Sequence, residues 1–163
     1  MDLAKTRDKK NQSGNEERFI VFKVSDAEFG ADIKQIKEVI QPAPISKVPR
    51  TPDFVEGVMD LRGTVIPIIN LRKRFNYPQK DKDENTRVLI VELPEDIIGF
   101  IADMVLEIIR INRADFREPP RMISGIDAEY IKTIAKSGER LVIILELSKI
   151  LTESEKKLLR SNS

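Results

Sequence analysis

The chain has 163 residues, a formal net charge of +1 and 34% charged residues, which suits one domain or two small fused domains. It contains no histidine and no cysteine, which excludes Cys/His zinc sites, Ser-His-Asp and Cys-His catalytic groups, and disulfides. The balanced charge gives no overall attraction to nucleic acid or to an anionic membrane.

The first 17 residues are charged and polar and predict a disordered arm. They lack the apolar core of a signal peptide. No apolar run in the chain approaches the roughly 18 residues that a membrane helix needs. Together with the absence of cysteine, this predicts a cytoplasmic protein without a membrane-inserted segment.

Short elements are predicted at the start of the folded region. Phe19–Val24 and Ala27–Ala31 have the composition of two strands joined by a turn. A short helix is expected next, because Asp32 suits a helix cap and isoleucines follow at spacings of three and four residues. Four prolines between Gln41 and Pro52 then predict an extended surface segment.

The stretch GVMDLRGTVIPIINL, residues 57–71, predicts a β-hairpin. Arg62-Gly63 supplies its turn, because glycine adopts positive φ without steric cost. Thr51 and Pro52 are expected to begin a short helix that Gly57 ends. The unit is therefore a short helix, a glycine and a hairpin, with one arginine at the tip.

The sequence contains an internal repeat. Residues 18–40 align without a gap on residues 87–109 at an offset of 69, and residues 65–75 align on 141–151 at an offset of 76. Chance agreement between two strand-rich segments is the alternative, but the first match sets glycine on glycine and glutamate on glutamate. Two copies of about five short strands predict two small β-barrels packed together, with a groove between them.

The repeat also predicts the domain boundaries. We expect a disordered arm at 1–17, a first barrel at 18–86, a second barrel at 87–151, and a C-terminal helix and tail at 152–163. Thr152 and Glu155 form a capping box for that helix. The strand Phe19–Val24 can belong to either barrel.

The candidate sites for chemistry are weak. Asp81, Asp83 and Glu84 alternate with lysines in a polar loop, which is typical of solvated loops and not of cation sites. The sequence gives no sign of two acidic residues paired in a pocket, so it does not indicate a carboxylate-based enzyme. The basic run Arg72–Arg74 comes with few aromatic residues and no tryptophan, which argues against nucleic-acid binding.

A non-catalytic binding module is the remaining class. Glu38 and Arg62 are its charged candidates, and they form either a salt bridge that shapes the groove or two solvated charges. A tandem small-barrel module that binds another protein or nucleic acid stays open as the alternative.

GVMDLRGTVIPIINLRKRF, residues 57–75, resembles the central signature of the CheW family of chemotaxis coupling proteins. FIVFKVSDAEFGADI (19–33), GFIADMVLEIIRI (99–111) and RLVIILELSKILTESEKKLL (140–159) resemble its other parts in the same order. The 163 residues contain no kinase, receiver or methyl-accepting segment. It therefore resembles the stand-alone adaptor and not the related domain of the kinase CheA or the CheV fusion.

The resemblance implies two SH3-like five-stranded β-barrels, short helices and no catalysis or cofactor. It implies that the protein couples the cytoplasmic tips of chemoreceptors to the regulatory domain of CheA at receptor arrays. A receptor helical hairpin would lie in the groove between barrels. Carried over by position, the groove candidates are Ile33, Ile36, Glu38, Val39, Gly57, Val58, Arg62, Gly99, Val105 and Ile108, and the kinase-contact candidates are Arg117 and Met122.

Overall fold

The computed structural model describes residues 15–120 and 126–162. Most of the predicted arm, residues 1–14, and the candidate Met122 lie outside the described residues. The arm was predicted to extend to residue 17, but Glu16 and Glu17 belong to the first strand, where they pair with Asn112 and Ile111. None of the described helices is long and apolar enough to cross a membrane.

The described residues are mostly in β-strands. The strands are β1 (Glu16–Val24), β2 (Ala27–Asp32), β3 (Ile36–Ile40), β4 (Val55–Leu61), β5 (Thr64–Asn70), β6 (Arg87–Glu92), β7 (Ile97–Ala102), β8 (Met104–Asn112), β9 (Phe116–Arg117), β10 (Ile131–Ser137) and β11 (Arg140–Leu145). The helices are α1 (Leu71–Arg74) and α2 (Glu153–Asn162), with 3₁₀ turns at Ile33–Gln35, Arg113–Asp115, Ala128–Tyr130 and Leu147–Lys149.

The strands form two sheets. The six-stranded sheet has the order β8-β1-β2-β11-β10-β9, and we call its barrel "barrel A". The five-stranded sheet has the order β3-β6-β7-β5-β4, and we call its barrel "barrel B". The repeat pairs β1 with β6, β2 with β7, β3 with β8, β4 with β10, and β5 with β11. This exchange converts the order 8-1-2-11-10 into 3-6-7-5-4, so the repeat is present in the topology.

The strand order corrects the predicted boundaries at 18–86 and 87–151. Barrel B takes the continuous segment 36–102, whereas barrel A takes β1 and β2 together with β8 to β11. The chain crosses between barrels after each first hairpin. Consequently β3 pairs with β6, as in Glu38 opposite Ile90, and β8 pairs with β1, as in Ile108 opposite Ile20.

Two local predictions about helices are wrong. The helix expected from Asp32 is one 3₁₀ turn, which Asp32 caps by accepting from the Lys34 backbone N–H at 2.9 Å. The rest of the predicted helix, Ile36–Ile40, forms β3 instead. This segment is rich in β-branched residues, and it gains partners on β6. Thr51 and Pro52 begin no helix, and Gly57 lies within β4.

The central hairpin and the C-terminal capping box are confirmed. Arg62 and Gly63 join β4 to β5 with φ values of 48° and 91°, both positive, as a tight two-residue turn requires. At the C-terminal helix, the Glu155 backbone N–H donates to Thr152 Oγ1 at 3.1 Å, and the Thr152 backbone N–H donates to Glu155 Oε1 at 2.8 Å.

The described residues form three apolar core clusters. Alternate residues of β1 serve two of them, because successive side chains of a strand point to opposite faces. Phe19 and Val21 lie in the barrel A core, whereas Ile20 and Phe22 lie in a cluster that draws on both sheets. We call this the central cluster, and it also contains Phe29, Leu89, Val91, Phe100, Leu147, Ile150, Leu151 and Leu159.

Candidate functional site: the crossing strands and the hairpin tips

The two crossing strands, β3 and β8, carry matching apolar residues. Ile36 and Val105 are equivalent in the repeat, and both are half-buried against the central cluster. Val39 and Ile108 are also equivalent, and they are 36% and 55% exposed. Ile33, at the entrance to β3, packs on the same cluster. The structure therefore places four of the predicted groove residues in two equivalent pairs, one member from each barrel.

Glu38 and Arg62 form an ion pair, which is the first of the two alternatives left open by the sequence. Glu38 lies on β3 and Arg62 at the tip of the β4–β5 hairpin, and β3 and β4 are the two outer strands of barrel B. The hairpin tip is also braced by Asp60, whose Oδ1 accepts from the Gly63 backbone N–H at 3.0 Å. Since the Arg62 side chain is 68% exposed, we expect the pair to contribute well under about 1 kcal/mol to stability.

Barrel A has a counterpart of this ion pair that the sequence did not suggest. Glu107, the repeat equivalent of Glu38, accepts from Arg140 Nη1 at 2.6 Å. Arg140 begins β11, just after the hairpin turn, and its Nη2 also donates to Glu28 at 2.7 Å. The hydrogen bond to Glu28, followed by that to Glu107, raises the pKa of Arg140. The alignment of Glu38 on Glu107 was the signal available in the sequence.

The two glycines among the groove candidates are buried. A Cβ on Gly57 would lie 2.0 Å from the Ser46 carbonyl oxygen, and a Cβ on Gly99 would lie 2.6 Å from Ile68 Cδ1. Both offer little surface to a partner, which corrects their place among the groove-lining residues. Gly57 lets the proline-containing segment cross β4 closely, where Ser46 and half-buried Val58 exchange backbone hydrogen bonds of 2.9 and 2.8 Å.

Arg117 is exposed on the short strand β9. Its Nη1 donates to the Ala114 carbonyl oxygen at 2.9 Å, and its own carbonyl oxygen accepts from Thr133 Oγ1 at 2.9 Å. These contacts fix its backbone and turn its guanidinium back along the chain.

Two exposed apolar side chains mark equivalent ends of the barrels. Val65 at the start of β5 is 54% exposed, and Leu141 at the start of β11 is 61% exposed. They align in the repeat, yet neither was singled out from the sequence. We call them the barrel-end residues.

A cavity lies beside each barrel-end residue. The one at Val65 has a volume of about 260 Å³ and is bordered by helix α2, and the one at Leu141 has a volume of about 410 Å³. Arg160 of α2 donates to Asp96 at 2.7 Å. This hydrogen bond from Arg160 lowers the pKa of Asp96. The two ends therefore have the same strand framework, and the C-terminal helix borders the one on barrel B.

The chain is similar to known proteins over most of its length. The family model described as a CheW-like domain matches residues 18–155. The chemotaxis protein CheW of Helicobacter pylori is 37% identical over 142 residues, which cover 86% of each chain. The chemotaxis protein CheW of Klebsiella aerogenes is 30% identical over 139 residues, covering 85% of this chain and 84% of that one.

A solved structure shares the fold. The scaffolding protein TtCheW from Thermoanaerobacter tengcongensis matches with a TM-score of 0.81 and 34% sequence identity. The match covers 88% of this chain and 97% of that one. The predicted mostly-β fold, with two packed SH3-like barrels, is thereby confirmed.

Proposed function

The chain belongs to the CheW family of chemotaxis adaptors, and we propose that it couples the cytoplasmic tips of chemoreceptors to the regulatory domain of the histidine kinase CheA. The family match over residues 18–155 carries this proposal. The two barrels support it, because an adaptor needs separate surfaces for its two partners. We further propose that the protein acts without catalysis or cofactor, in the cytoplasm, at receptor arrays on the inner face of the membrane.

The crossing strands are the proposed receptor site. Ile36 and Val39 on β3 and Val105 and Ile108 on β8 present apolar surface from both barrels. An amphipathic helix binds such a surface by inserting apolar residues spaced along one of its faces. The tip of a receptor helical hairpin has this chemistry, and its apolar stripe would contact equivalent positions in the two barrels.

The Glu38–Arg62 ion pair borders the proposed receptor site. It holds the hairpin tip against β3 and so orients the exposed Arg62 side chain. A charged group at the border of an apolar contact chiefly sets register and excludes wrong partners, and adds little to affinity. We therefore propose that Arg62 positions the receptor helix along the groove.

The barrel ends are the proposed kinase site. Val65 and Leu141 expose apolar surface at equivalent places, and each has acidic and basic neighbours at its border. Arg117 is a further candidate contact on barrel A, as the resemblance implied. Because each molecule would offer two such ends, alternating adaptor and kinase barrels can form a closed ring by head-to-tail contacts.

Coupling between the partners would be thermodynamic. An adaptor transmits a receptor signal only if receptor binding and kinase binding favour the same state of the complex. Two separate surfaces on one pair of packed barrels can meet this requirement, if binding at one surface changes how the other is presented.

Calorimetric titration of the protein into the isolated regulatory domain of its cognate CheA tests the proposal. Saturable one-to-one binding that survives moderate salt is the expected result. Absence of binding by a folded protein, shown by a dispersed NMR spectrum, would overturn it. Affinity for oligonucleotides that falls steeply with salt would instead favour a nucleic-acid module.

A further inference from the structure

Arg74 lies where the two halves of the internal repeat meet. Its Nε donates to the carbonyl oxygen of Ile150 at 2.8 Å. Arg74 and Ile150 are equivalent at the offset of 76 that relates β4, β5 and α1 to β10, β11 and the turn Leu147–Lys149. An arginine of one copy is thus bonded to the backbone of its own counterpart in the other.

Two aromatic rings flank the Arg74 guanidinium, and they too are repeat equivalents. Its Cζ lies 4.2 Å from the ring centroid of Phe54 and 5.2 Å from that of Tyr130. The equivalence of the rings is visible in the backbone. The Phe54 carbonyl oxygen accepts from the Asn70 N–H at 2.7 Å, and the Tyr130 carbonyl oxygen accepts from the Glu146 N–H at 2.8 Å.

The same guanidinium holds the C-terminal helix. Arg74 Nη2 donates to Glu155 Oε1 at 2.9 Å, and Arg74 Nη1 donates to Glu155 Oε2 at 3.1 Å. Glu155 is also the capping residue of α2, so the fork reaches the first turn of the helix. With 11% and 22% of their side chains exposed, the two residues form a largely desolvated, bidentate pair.

We propose that Arg74 is a positioning residue that sets the orientation of barrel A relative to barrel B and makes it depend on the docking of helix α2. Through that orientation it controls the proposed receptor surface on β3 and β8, and this part of the inference rests on the proposed function. The protein thereby acquires a determinant of receptor binding that touches no receptor.

A fixed orientation between two packed barrels needs directional contacts. The central cluster that joins the barrels is apolar, and apolar burial is non-directional. The planar guanidinium, by contrast, fixes five donors and two stacking faces in one geometry. Arg74 uses its fork on Glu155, its Nε on Ile150 and its cation–π contacts with Phe54 and Tyr130. A lysine cannot make these contacts together.

The test measures the distance between barrels in the full chain. Because the sequence has no cysteine, the variants Thr64→Cys and Lys136→Cys place spin labels only at exposed hairpin positions, one on each barrel. Pulsed electron spin resonance is recorded in this background and with Arg74→Gln, Arg74→Lys and Lys73→Gln added. Lys73→Gln is the matched control. Lys73 neighbours Arg74 on α1, but it pairs within barrel B, with Asp53 just before β4 at 3.5 Å and with Glu56 on β4 at 3.7 Å.

We expect one narrow distance distribution in the parent and in Lys73→Gln, and a clearly broadened one in Arg74→Gln. Arg74→Lys should restore the narrow distribution only in part. A folded Arg74→Gln protein with the parent distribution, differing only in melting temperature, would overturn the proposal. If Arg74→Gln does not fold, Arg74→Lys takes its place. A distance distribution broader than the parent's then supports the proposal, and the parent distribution overturns it.

Titration with a soluble receptor hairpin tests whether Arg74 controls receptor binding through the barrel orientation. We expect Arg74→Gln to weaken receptor binding by at least about fivefold, the lower end of typical coupling, and Lys73→Gln to leave it unchanged. Unchanged affinity beside a broadened distribution would overturn control of the groove. Failure of the parent protein itself to bind the receptor would count against the proposed function, while the distance measurement would still decide the role of Arg74.

Discussion

Glu38 and Glu107 occupy equivalent positions on the two crossing strands. Each forms an ion pair with an arginine that lies in or beside a hairpin turn of its own barrel. Arg62 serves Glu38 in barrel B, and Arg140 serves Glu107 in barrel A. The two arginines are not aligned in the repeat, because Arg62 lies in its turn and Arg140 begins the return strand. The same bracing contact is therefore built in two ways.

Substituting Arg62 with alanine should weaken receptor binding and leave the fold intact. The Arg62 side chain is 68% exposed, so the melting temperature should fall by no more than about 2–4 °C, the change that about 1 kcal/mol causes at this size. Calorimetry with a receptor hairpin and thermal unfolding measure the two effects. Lys37→Ala is the control, because it removes an exposed charge from β3 next to Glu38. Unchanged receptor affinity in Arg62→Ala would contradict the proposed role.

Substituting Arg140 with alanine should lower stability more than Arg62→Ala does. Arg140 donates to both Glu28 and Glu107, so its loss breaks contacts from β11 to two further strands of barrel A. A double-mutant cycle with Glu107→Gln, followed by urea unfolding, measures the coupling between Arg140 and Glu107. We expect a coupling of about 0.5 kcal/mol, typical of partly exposed pairs. Purely additive losses would show that the contact does not contribute.

Val105→Asp and Val65→Asp should separate the two binding activities. Val105 lies on the proposed receptor surface, so an aspartate there should abolish receptor capture and spare kinase binding. Val65 is a barrel-end residue, so Val65→Asp should do the reverse. Both variants are titrated with a receptor hairpin and with the regulatory domain of CheA. Loss of both activities in Val105→Asp, with a lowered melting temperature, would assign Val105 to the core.

Gly99→Ala should destabilise barrel B. The added Cβ would lie 2.6 Å from Ile68 Cδ1 and 2.9 Å from Val88 Cγ1, so both side chains must shift in a packed core, at a cost of about 1–3 kcal/mol. Gly30→Ala is the matched variant in barrel A, with contacts of 2.6 Å to Ile144 Cδ1 and 3.3 Å to Val142 Cγ1. Urea unfolding should show the larger loss for Gly99→Ala. Wild-type stability for that variant would contradict the tight packing.

The Asp96–Arg160 contact should make stability depend on pH in acid. The hydrogen bond from Arg160 depresses the folded-state pKa of Asp96. Its contribution is therefore complete above the unfolded pKa of about 3.9, and is lost as pH falls below this value through the folded pKa. The melting temperature of Asp96→Asn should fall less steeply between about pH 4 and pH 2 than that of the parent. Parallel curves would argue against the contact.

The local elements could be predicted from sequence, because their signals are local. The turn at Arg62-Gly63 and the capping box of Thr152 and Glu155 depend on residues a few positions apart. The strand β3 was mistaken for a helix because Ile33, Ile36 and Ile40 have helical spacing. Ile36 and Ile40 in fact pair with Val91 and Val88 on β6, about fifty residues away, and no local pattern shows that pairing.

For the candidate site, the sequence shows which positions are equivalent in the repeat, but not which of them are buried or exposed. Repeat alignment identified the pairs Ile36–Val105 and Val39–Ile108, which lie at equivalent positions of β3 and β8. It could not show that Gly57 and Gly99 are buried, since a glycine has the same symbol whether it faces a partner or a packed side chain. Nor does an alignment reveal exposure, so Val65 and Leu141 were missed.

Barrel B is one continuous segment, whereas barrel A is assembled from the two ends of the chain, and this has a consequence for synthesis on the ribosome. Once residues 36–102 have emerged, every strand of barrel B is present. The β1–β2 hairpin emerges earlier, yet its neighbours β8 and β11 are made only after barrel B. The hairpin therefore keeps apolar side chains such as Phe19 and Val21 uncovered until β8 to β11 have emerged. We expect this exposed hairpin to be prone to aggregation until its partners in barrel A are made.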